Sequence, residues 1–280
     1  MMVSDLVSVE RRRGLIGLEI EAEGDNLIPV DDKYWRSDTD NSLKKANSFE
    51  YVLKQPIPLD CVPDALSMLA AKIREADGII DESVRAGVHV HVNVQDMEAM
   101  HLFNMIVLYL TLEELLVTFC GDNRQGNLFC LRASDARYLI NYIINCLQSK
   151  RLRQLHTDEI RYASINLKAL HQYGSIEFRA MRSTPDFDVI NTWVNILAQI
   201  RFMATTFKSP EDVVYNFSNM GPMAFVKHVL GEHHELFVND PEFYAKARRG
   251  MNNAQDVAFC VKWSEYFKKS NNPFLKGGFQ

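Results

Sequence analysis

Polar and apolar residues alternate at every second position in several stretches of the chain, which is the period of a β-strand with one buried face. Four of these stretches lie at residues 15–23, 86–94, 161–168 and 174–179, and a shorter strand pattern covers residues 49–54. If these strands form one antiparallel sheet, helices cover its aliphatic face and the polar face lines a cleft. The polar face would hold Glu19, Glu21, Glu50, His89, His91, Asn93, Asn166, Glu177 and Arg179.

Apolar residues at helical spacing predict three longer helices, at residues 63–77, 96–119 and 186–207, with Asp96 as the N-cap of the second. A further helix is expected at residues 134–148. The chain shows no internal repeat and no long linker, which predicts a single α+β domain over residues 1–280. Beyond residue 210 we expect only short helices, at residues 212–217, 222–230, 241–248 and 254–268.

The charge and composition of the chain exclude several classes of function. The net charge of −5 gives no general basic field, so a nucleic-acid partner is not expected. The five cysteines are scattered without a CxxC pair, which is typical of reduced thiols in an intracellular protein. No apolar segment precedes the basic residues 10–13, so we expect no secretory signal. The apolar residues 103–119 are interrupted by two glutamates, which predicts a core helix of a cytoplasmic protein and not a membrane span.

The first acidic strand has two interpretations. Glu19, Glu21 and Glu23 repel one another on one strand face, and glutamate is disfavoured in strands. They form either the solvated face of an edge strand or a divalent-metal site in which a cation offsets their repulsion. On this segment alone the two alternatives are equally good.

In the strands at 86–94 and 174–179, the polar residues favour a functional site over a structural role. His89 and His91 share a face in an HxH pattern, but no third zinc ligand has a familiar spacing. Ligands rich in oxygen favour Mg²⁺ or Mn²⁺. Arg179 beside Glu177 would suit a phosphate that is bridged to the metal. Because the chain has no GxxxxGK[ST] motif, it is not a P-loop enzyme.

Two loops contain further candidates. Asp40 and Ser42, in the acidic loop 37–42, either cap a turn or face a ligand. Arg124, in the loop 120–127, is either an anion contact or an exposed basic residue.

Six short motifs follow one another along the chain. They are Gly17-Leu18-Glu19-Ile20-Glu21, Asp40-Asn41-Ser42-Leu43, Phe49-Glu50-Tyr51-Val52, Gly87-Val88-His89-Val90-His91-Val92, Arg161-Tyr162 with Asn166, and Gly174-Ser175-Ile176-Glu177-Phe178-Arg179. In this order they resemble the amidoligase family of phages and bacteria, within the glutamine synthetase and glutamate–cysteine ligase superfamily. The resemblance implies a curved antiparallel sheet that forms an open funnel backed by helices. It spans residues 14–207 as a ligase core, which leaves 208–280 as a helical C-terminal extension.

The resemblance also implies a reaction and roles for single residues. A carboxylate would be phosphorylated by ATP to an acyl phosphate, and an amine would then displace phosphate to give an amide. A carboxylate or the Asp40 loop would accept the amine proton, and Arg179 would contact the phosphate, with His89 or His91 close by. Nucleotide or substrate contacts would come from Asn166 and Arg161, with Arg124 as a further anion contact. The implied ligands of Mg²⁺ or Mn²⁺ are Glu19, Glu21, Glu50, His91 and Glu177.

The expected partners are therefore a small-molecule or peptide carboxylate and an amine, in the cytoplasm, which is the host's if a phage encodes the chain. Two other function classes stay open from the sequence. One is a metal-dependent hydrolase or nuclease that uses the same acids and histidines. The other is a non-catalytic structural member of the fold.

Overall fold

The computed structural model describes residues 1–7, 9–39, 42–45, 47–155 and 162–268. Within them the chain forms one seven-stranded antiparallel sheet and a set of helices, which confirms the α+β class. The strands are β1 Ile16–Asp25, β2 Trp35–Asp38, β3 Ser48–Leu53, β4 Ile79–Ile80, β5 Gly87–Asn93, β6 Ile165–Asn166 and β7 Ser175–Arg182.

The helices surround one side of the sheet and make up the described C-terminal region. The α-helices are α1 Val62–Glu75, α2 Ala99–Cys120, α3 Arg137–Gln148, α4 Ala169–Tyr173, α5 Phe187–Ala204, α6 Pro210–Met220, α7 Pro222–Leu230, α8 Phe243–Ala258 and α9 Trp263–Tyr266. Short 3₁₀ turns occur at Val3–Asp5, Leu59–Cys61, Asp122–Arg124, Leu152–Gln154 and Gly231–Leu236.

The sheet has the strand order β2-β3-β1-β5-β7-β6, with β4 paired to one end of β1. The acidic strand β1 therefore lies between two neighbours, and the alternative of a solvated edge strand is wrong. Glu21 and Glu23 are 5% and 6% exposed. Burial of carboxylates at the centre of a sheet is costly unless partners compensate for it, so this acidic row requires an explanation in the site.

The aliphatic face of the sheet packs against helices, as the alternation predicts. Val88, Val90 and Val92 are fully buried, and α5 and α2 contact β5 and β7. Among the described residues α2, with 22 residues, is the one helix long and apolar enough to cross a bilayer. However, 89% of its apolar window is buried inside the molecule, which agrees with the predicted core helix.

The expected cap of α2 is wrong. The helix begins at Ala99 after Glu98, and no side chain caps it. Asp96 instead forms an ion pair with Arg201. The reason lies in the N-terminal segment. The Val3 amide donates to the Met97 carbonyl at 2.8 Å, so the residues just before 99 pair with that segment.

The last two predicted helices are also wrong. One continuous helix, α8, replaces 241–248 and the start of 254–268, and only α9 follows it among the described residues. The sequence Gly250-Met251-Asn252-Asn253 suggests a break, yet Gly250 is where α8 comes closest to α2. A Cβ on Gly250 would lie 2.2 Å from the Thr111 carbonyl oxygen, so the glycine serves helix packing.

The predicted strand pair 161–168 and 174–179 is present as β6 and β7. β6 is only two residues long, and the short helix α4 fills the connection. Gly174 ends α4 in the left-handed conformation, with φ of 72°, which glycine adopts without strain. The chain thereby reverses direction and enters β7 next to β5.

Candidate active site

Strand register brings the polar residues together. On β1, Glu19 lies opposite His89 of β5, and Glu21 lies opposite Glu50 of β3. Across the next ladder, His91 lies opposite Glu177 of β7. Because side chains alternate between the two faces of a sheet, these pairs all project from the same face.

His89 is at the centre of this group. Its Nδ1 lies 3.3 Å from Glu19 Oε2 and 3.7 Å from Glu177 Oε1, and its Nε2 lies 3.7 Å from Glu21 Oε1. Arg179 Nη1 is 3.5 Å from His89 Nδ1. The imidazole is thus surrounded by three carboxylates and one guanidinium. These contacts fix the orientation of the ring.

His91 occupies the neighbouring position. Its Nδ1 is 3.2 Å from Ser175 Oγ, and its Nε2 is 3.3 Å from Glu19 Oε1. The second contact lacks hydrogen-bond geometry, so Nε2 is a buried nitrogen without a hydrogen-bond partner among the described residues. Burial lowers the pKa of His91, but the carboxylates of Glu19 and Glu177 outweigh that effect and raise it.

Glu177 is held from two sides. Arg179 Nη1 donates to its Oε1, and Asn166 Nδ2 donates to its Oε2 at 2.5 Å. Burial would raise the pKa of Glu177, but the charges of His91, Arg179 and His89 lower it. Burial would likewise raise the pKa of Glu19, but the two nearby imidazoles of His89 and His91 outweigh it and lower that pKa. Both acids are therefore carboxylates at neutral pH.

Two groups of side chains can hold a cation. In each group, one ligand atom per residue lies within 4.8 Å of the others. The Nε2 of His91 lies beside a carboxylate and makes no hydrogen bond among the described residues, which fits a metal ligand, since a buried nitrogen without a hydrogen bond is otherwise costly. Carboxylate oxygens predominate, which suits a hard divalent cation. The groups are Glu19, His91 and Glu177, and Glu19, Glu50 and His89.

Two further acids of β1 also make structural contacts, and the role of Glu21 as a metal ligand stays a prediction. Glu21 Oε2 accepts from the Gly87 amide at 2.7 Å in addition to its contact with His89. Glu23 accepts from the Lys44 amide at 2.7 Å and from Ser83 Oγ at 2.5 Å. Glu23 thus anchors the loop that follows the acidic segment 37–42, which gives it a structural role.

Arg124 supports β7 through hydrogen bonds to its backbone. The alternative of an exposed loop residue is wrong, because Arg124 is 1% exposed. Its Nε donates to the Ala180 carbonyl at 3.1 Å and its Nη2 to the Arg179 carbonyl at 2.8 Å. The β5–β7 register shifts at this point, so that Arg179 and Ala180 together oppose His89, as in a β-bulge. Arg124 satisfies the carbonyls of the bulge, and its contact with an anion stays a prediction.

Two predicted residues cannot be placed. Asp40 and Arg161 lie outside the described residues, so their expected roles stay predictions. Asn166, from the same motif as Arg161, does reach the site through Glu177.

Cavities open on both sides of the cluster. The first, of about 260 Å³, is bounded by Glu19 and His91 at one end and by Arg12, Arg36 and Lys54 elsewhere. The second, of about 340 Å³, is lined by Glu21, His89 and Arg179. Further lining residues of the second cavity are Ser42, Arg85, Arg124, Phe129, Tyr162, Asn166, Lys168 and Gln172.

Several lining residues are missing from the sequence-based prediction. Tyr173 packs edge-on against His91 with ring centroids 5.4 Å apart, and Ser175 contacts the same ring. Ser175 could have been found from its place in the Gly174-Ser175 motif. Arg12 belongs to the run of three arginines just before β1, which the sequence displays without showing what it faces.

Comparison with known proteins gives a family match. A model of the family described as "Putative amidoligase enzyme" matches residues 23–201. The match includes Glu50, both histidines and the Glu177–Arg179 pair, whereas Glu19 and Glu21 precede it. No curated protein matches the chain. Since the family match covers more than half of the 280 residues, the chain belongs to the amidoligase family.

Proposed function

We propose that the chain is a carboxylate–amine ligase that depends on ATP and on Mg²⁺ or Mn²⁺. In this reaction a carboxylate is activated by ATP as an acyl phosphate, and an amine then displaces phosphate to form an amide or peptide bond. ADP and inorganic phosphate are the other products. The family membership supports a ligase, and the site supports the finer statement.

The observation that carries the proposal is the meeting of four carboxylates, two histidines and one arginine on a single sheet face. The carboxylates belong to Glu19, Glu21, Glu50 and Glu177, and Arg179 lies in contact with Glu177. A site for phosphoryl transfer needs fixed charges of both signs, because it must hold a cation and a phosphate close together.

The residues proposed to hold the cation are Glu19, Glu21, Glu50, His91 and Glu177. When bound, a divalent ion would neutralise phosphate charge. Arg179 would hold a phosphate oxygen, since Glu177 and the Phe129 carbonyl, 3.5 Å from Nε, fix its guanidinium. Arg179 carries a charge at all accessible pH values, and its planar fork suits phosphate.

The second cavity suits the nucleotide. Arg85, Lys168 and Arg179 line it and provide positive charge for phosphates. Phe129 and Tyr162 lie in the same cavity with their rings 6.3 Å apart and nearly perpendicular. Aromatic walls next to cations are suited to a base joined to phosphates. The first cavity is then left for the acid that is activated.

The experiment is an activity screen in which hydroxylamine replaces the unknown amine. An activated carboxyl group reacts with hydroxylamine to give a hydroxamate, so ADP and hydroxamate are measured together across a panel of carboxylic acids with ATP and Mg²⁺. We expect Glu177→Gln and Arg179→Gln to lose about a hundredfold or more in kcat/KM. Glu232→Gln, at an exposed glutamate, is the matched control.

Full activity in either site variant contradicts the proposal. Cleavage of a phosphodiester with metal but without ATP would instead favour the hydrolase. If calorimetry detects no binding of ATP and Mg²⁺, the non-catalytic alternative is favoured.

A further inference from the structure

The cavity next to His91 continues into a basic channel. Arg12, Leu15 and Asn93 line both the first cavity and a larger one, of about 760 Å³, beside it. We call these two adjoining cavities together the basic channel. Its inner end is formed by Glu19 and His91. Its outer part is lined by Arg11, Arg12, Arg13 and Arg201, with Asp96 as the acid there.

Positive charge exceeds negative charge along the basic channel, although the whole chain has a net charge of −5. In the outer part Arg201 pairs with Asp96 at 2.5 Å, which leaves the charges of the other three arginines. In the inner part Arg36 pairs with Asp38, and Lys54 pairs with Asp31. A local excess of this kind raises the concentration of anions at the entrance.

Arg12 is the cation placed between the two parts. Its guanidinium lies 5.8 Å from the ring centroid of Tyr173, and the same ring packs edge-on against His91. Its backbone is fixed, because its amide donates to Gln95 Oε1 at 3.0 Å and its carbonyl accepts from Asn93 Nδ2 at 3.1 Å. No ion pair of Arg12 with an acid occurs among the described residues. The charge therefore faces the channel one aromatic ring away from the metal-binding histidine.

The walls between these charges are partly apolar. Leu15, Val52 and Pro56 line the inner cavity. A ligand with a hydrocarbon spacer between two anionic groups matches a cavity lined by Arg12, by these apolar side chains and by the cluster. A phosphate polymer has charges on every unit and no such spacer, so it fits less well.

We propose that the acid substrate carries at least one more carboxylate besides the one that reacts, and that Arg12 binds this second carboxylate. The substrate class is a dicarboxylate or an acidic peptide, with longer acidic peptides reaching Arg11, Arg13 and Arg201. This inference rests on the proposed ligase function, since it assigns the inner end of the basic channel to the reacting carboxyl group.

The test measures binding without ATP, so that it does not depend on turnover. The probes are glutarate against pentanoate, which has one carboxylate on the same number of carbons, and triglutamate against triglutamine. We expect the acidic probe of each pair to bind more tightly to the unaltered chain. Arg12→Gln should weaken glutarate or triglutamate about tenfold without changing pentanoate. Arg248→Gln, on the exposed face of α8, should change nothing.

Equal binding of acidic and neutral probes, or acidic binding that Arg12→Gln leaves unchanged, overturns the inference. So does an oligonucleotide that binds through Arg12 more tightly than triglutamate. If Arg12→Gln weakens the binding of glutarate but not of triglutamate, the substrate is a small dicarboxylate. Hydroxamate formation is then measured separately. Arg12-dependent binding without any hydroxamate supports the basic channel and contradicts the ligase, whereas hydroxamate formation that ignores Arg12 overturns only this inference.

Discussion

At the residue scale, the cluster places opposite charges in contact while it is shielded from water. Glu177 and Arg179 are two residues apart on one strand, so they share a face and meet without any loop. The side chain of Glu19 is 24% exposed, compared with 7% for Glu177. Glu19 therefore lies on the open side of the site, where a cation entering from solvent would meet it first.

Metal binding should stabilise the fold through these acids. A ligand that binds only the native state adds about 2.7 kcal/mol to the free energy of unfolding at a hundred times its Kd. We expect Mg²⁺ or Mn²⁺ to raise the midpoint of thermal unfolding of the unaltered chain. Glu19→Gln should abolish this increase, since Glu19 belongs to both ligand groups. Glu232→Gln should keep it, and an equal metal response in both variants would contradict the assignment.

A further buried acid, Glu113 on α2, lies outside the proposed chemistry. Its Oε1 accepts from Ser164 Oγ, and its Oε2 accepts from the Ala133 amide at 2.8 Å. Glu114 and Arg132 are the charged groups nearby. Burial raises the pKa of Glu113 to about 7, although the two hydrogen bonds lower it. In the folded chain this carboxyl therefore holds its proton more tightly than in the unfolded chain.

This difference predicts a pH dependence of stability. The contribution of protonated Glu113 is complete below its ordinary pKa of 4.5 and is lost as the pH rises through about 7. Full ionisation would lower the free energy of unfolding by about 3 kcal/mol. We expect Glu113→Gln to flatten the difference between urea unfolding at about pH 5 and about pH 8. An unchanged pH profile, or the same flattening in Glu232→Gln, would contradict this account.

At the scale of elements, the alternation in the sequence identifies the strands and their polar faces, because period 2 is a local property. It does not give the order of the strands or their register. The central place of β1 and the contact of His91 with Ser175 follow from pairings between segments far apart in the chain. The β-bulge at Arg179 and Ala180 could not be predicted from the sequence either, because the donor to its two carbonyls is Arg124, which comes from a separate loop.

Arg124 should therefore affect activity through its support of Arg179. Arg124→Met keeps much of the side-chain volume but leaves the carbonyls of Arg179 and Ala180 without a donor. We expect the free energy of unfolding to fall by roughly 2 to 4 kcal/mol. Hydroxamate formation, measured well below the unfolding midpoint, should also fall because Arg179 loses its support. Arg248→Met is the control, and full activity in a clearly destabilised Arg124→Met would show that the bulge does not position Arg179.

At the scale of the whole molecule, the C-terminal helices complete the core. Gly250 lets the α8 backbone approach α2, and Trp263 packs on Phe103 of α2 with ring centroids 5.2 Å apart. The division into a core at 14–207 and an extension at 208–280 describes sequence resemblance, whereas packing joins the two regions. Sequence periodicity could predict the helices but not this contact, because Gly250 suggests a helix end when it is considered alone.

A chain that ends after Phe207 should consequently fail to fold cooperatively. The truncation uncovers the apolar surface of α2, including Phe103, which is fully buried in the complete chain. We expect aggregation and loss of a single unfolding transition, measured by light scattering and calorimetry. Gly250→Val in the complete chain should reproduce part of the effect, at about 1–3 kcal/mol of destabilisation. A soluble truncated chain with one sharp transition would contradict this prediction.

The register shift in β7 also bears on how chain length can vary among relatives. A deletion elsewhere in a strand turns every later side chain to the opposite face. Loss of Ala180 would not do so, because Met181 and Arg182 could keep their partners Val88 and Gly87. Related chains one residue shorter at this point would keep both faces of the sheet and still fold. They would lack the β-bulge at Arg179, so a gap at this position in a family comparison would mark a change in the active site.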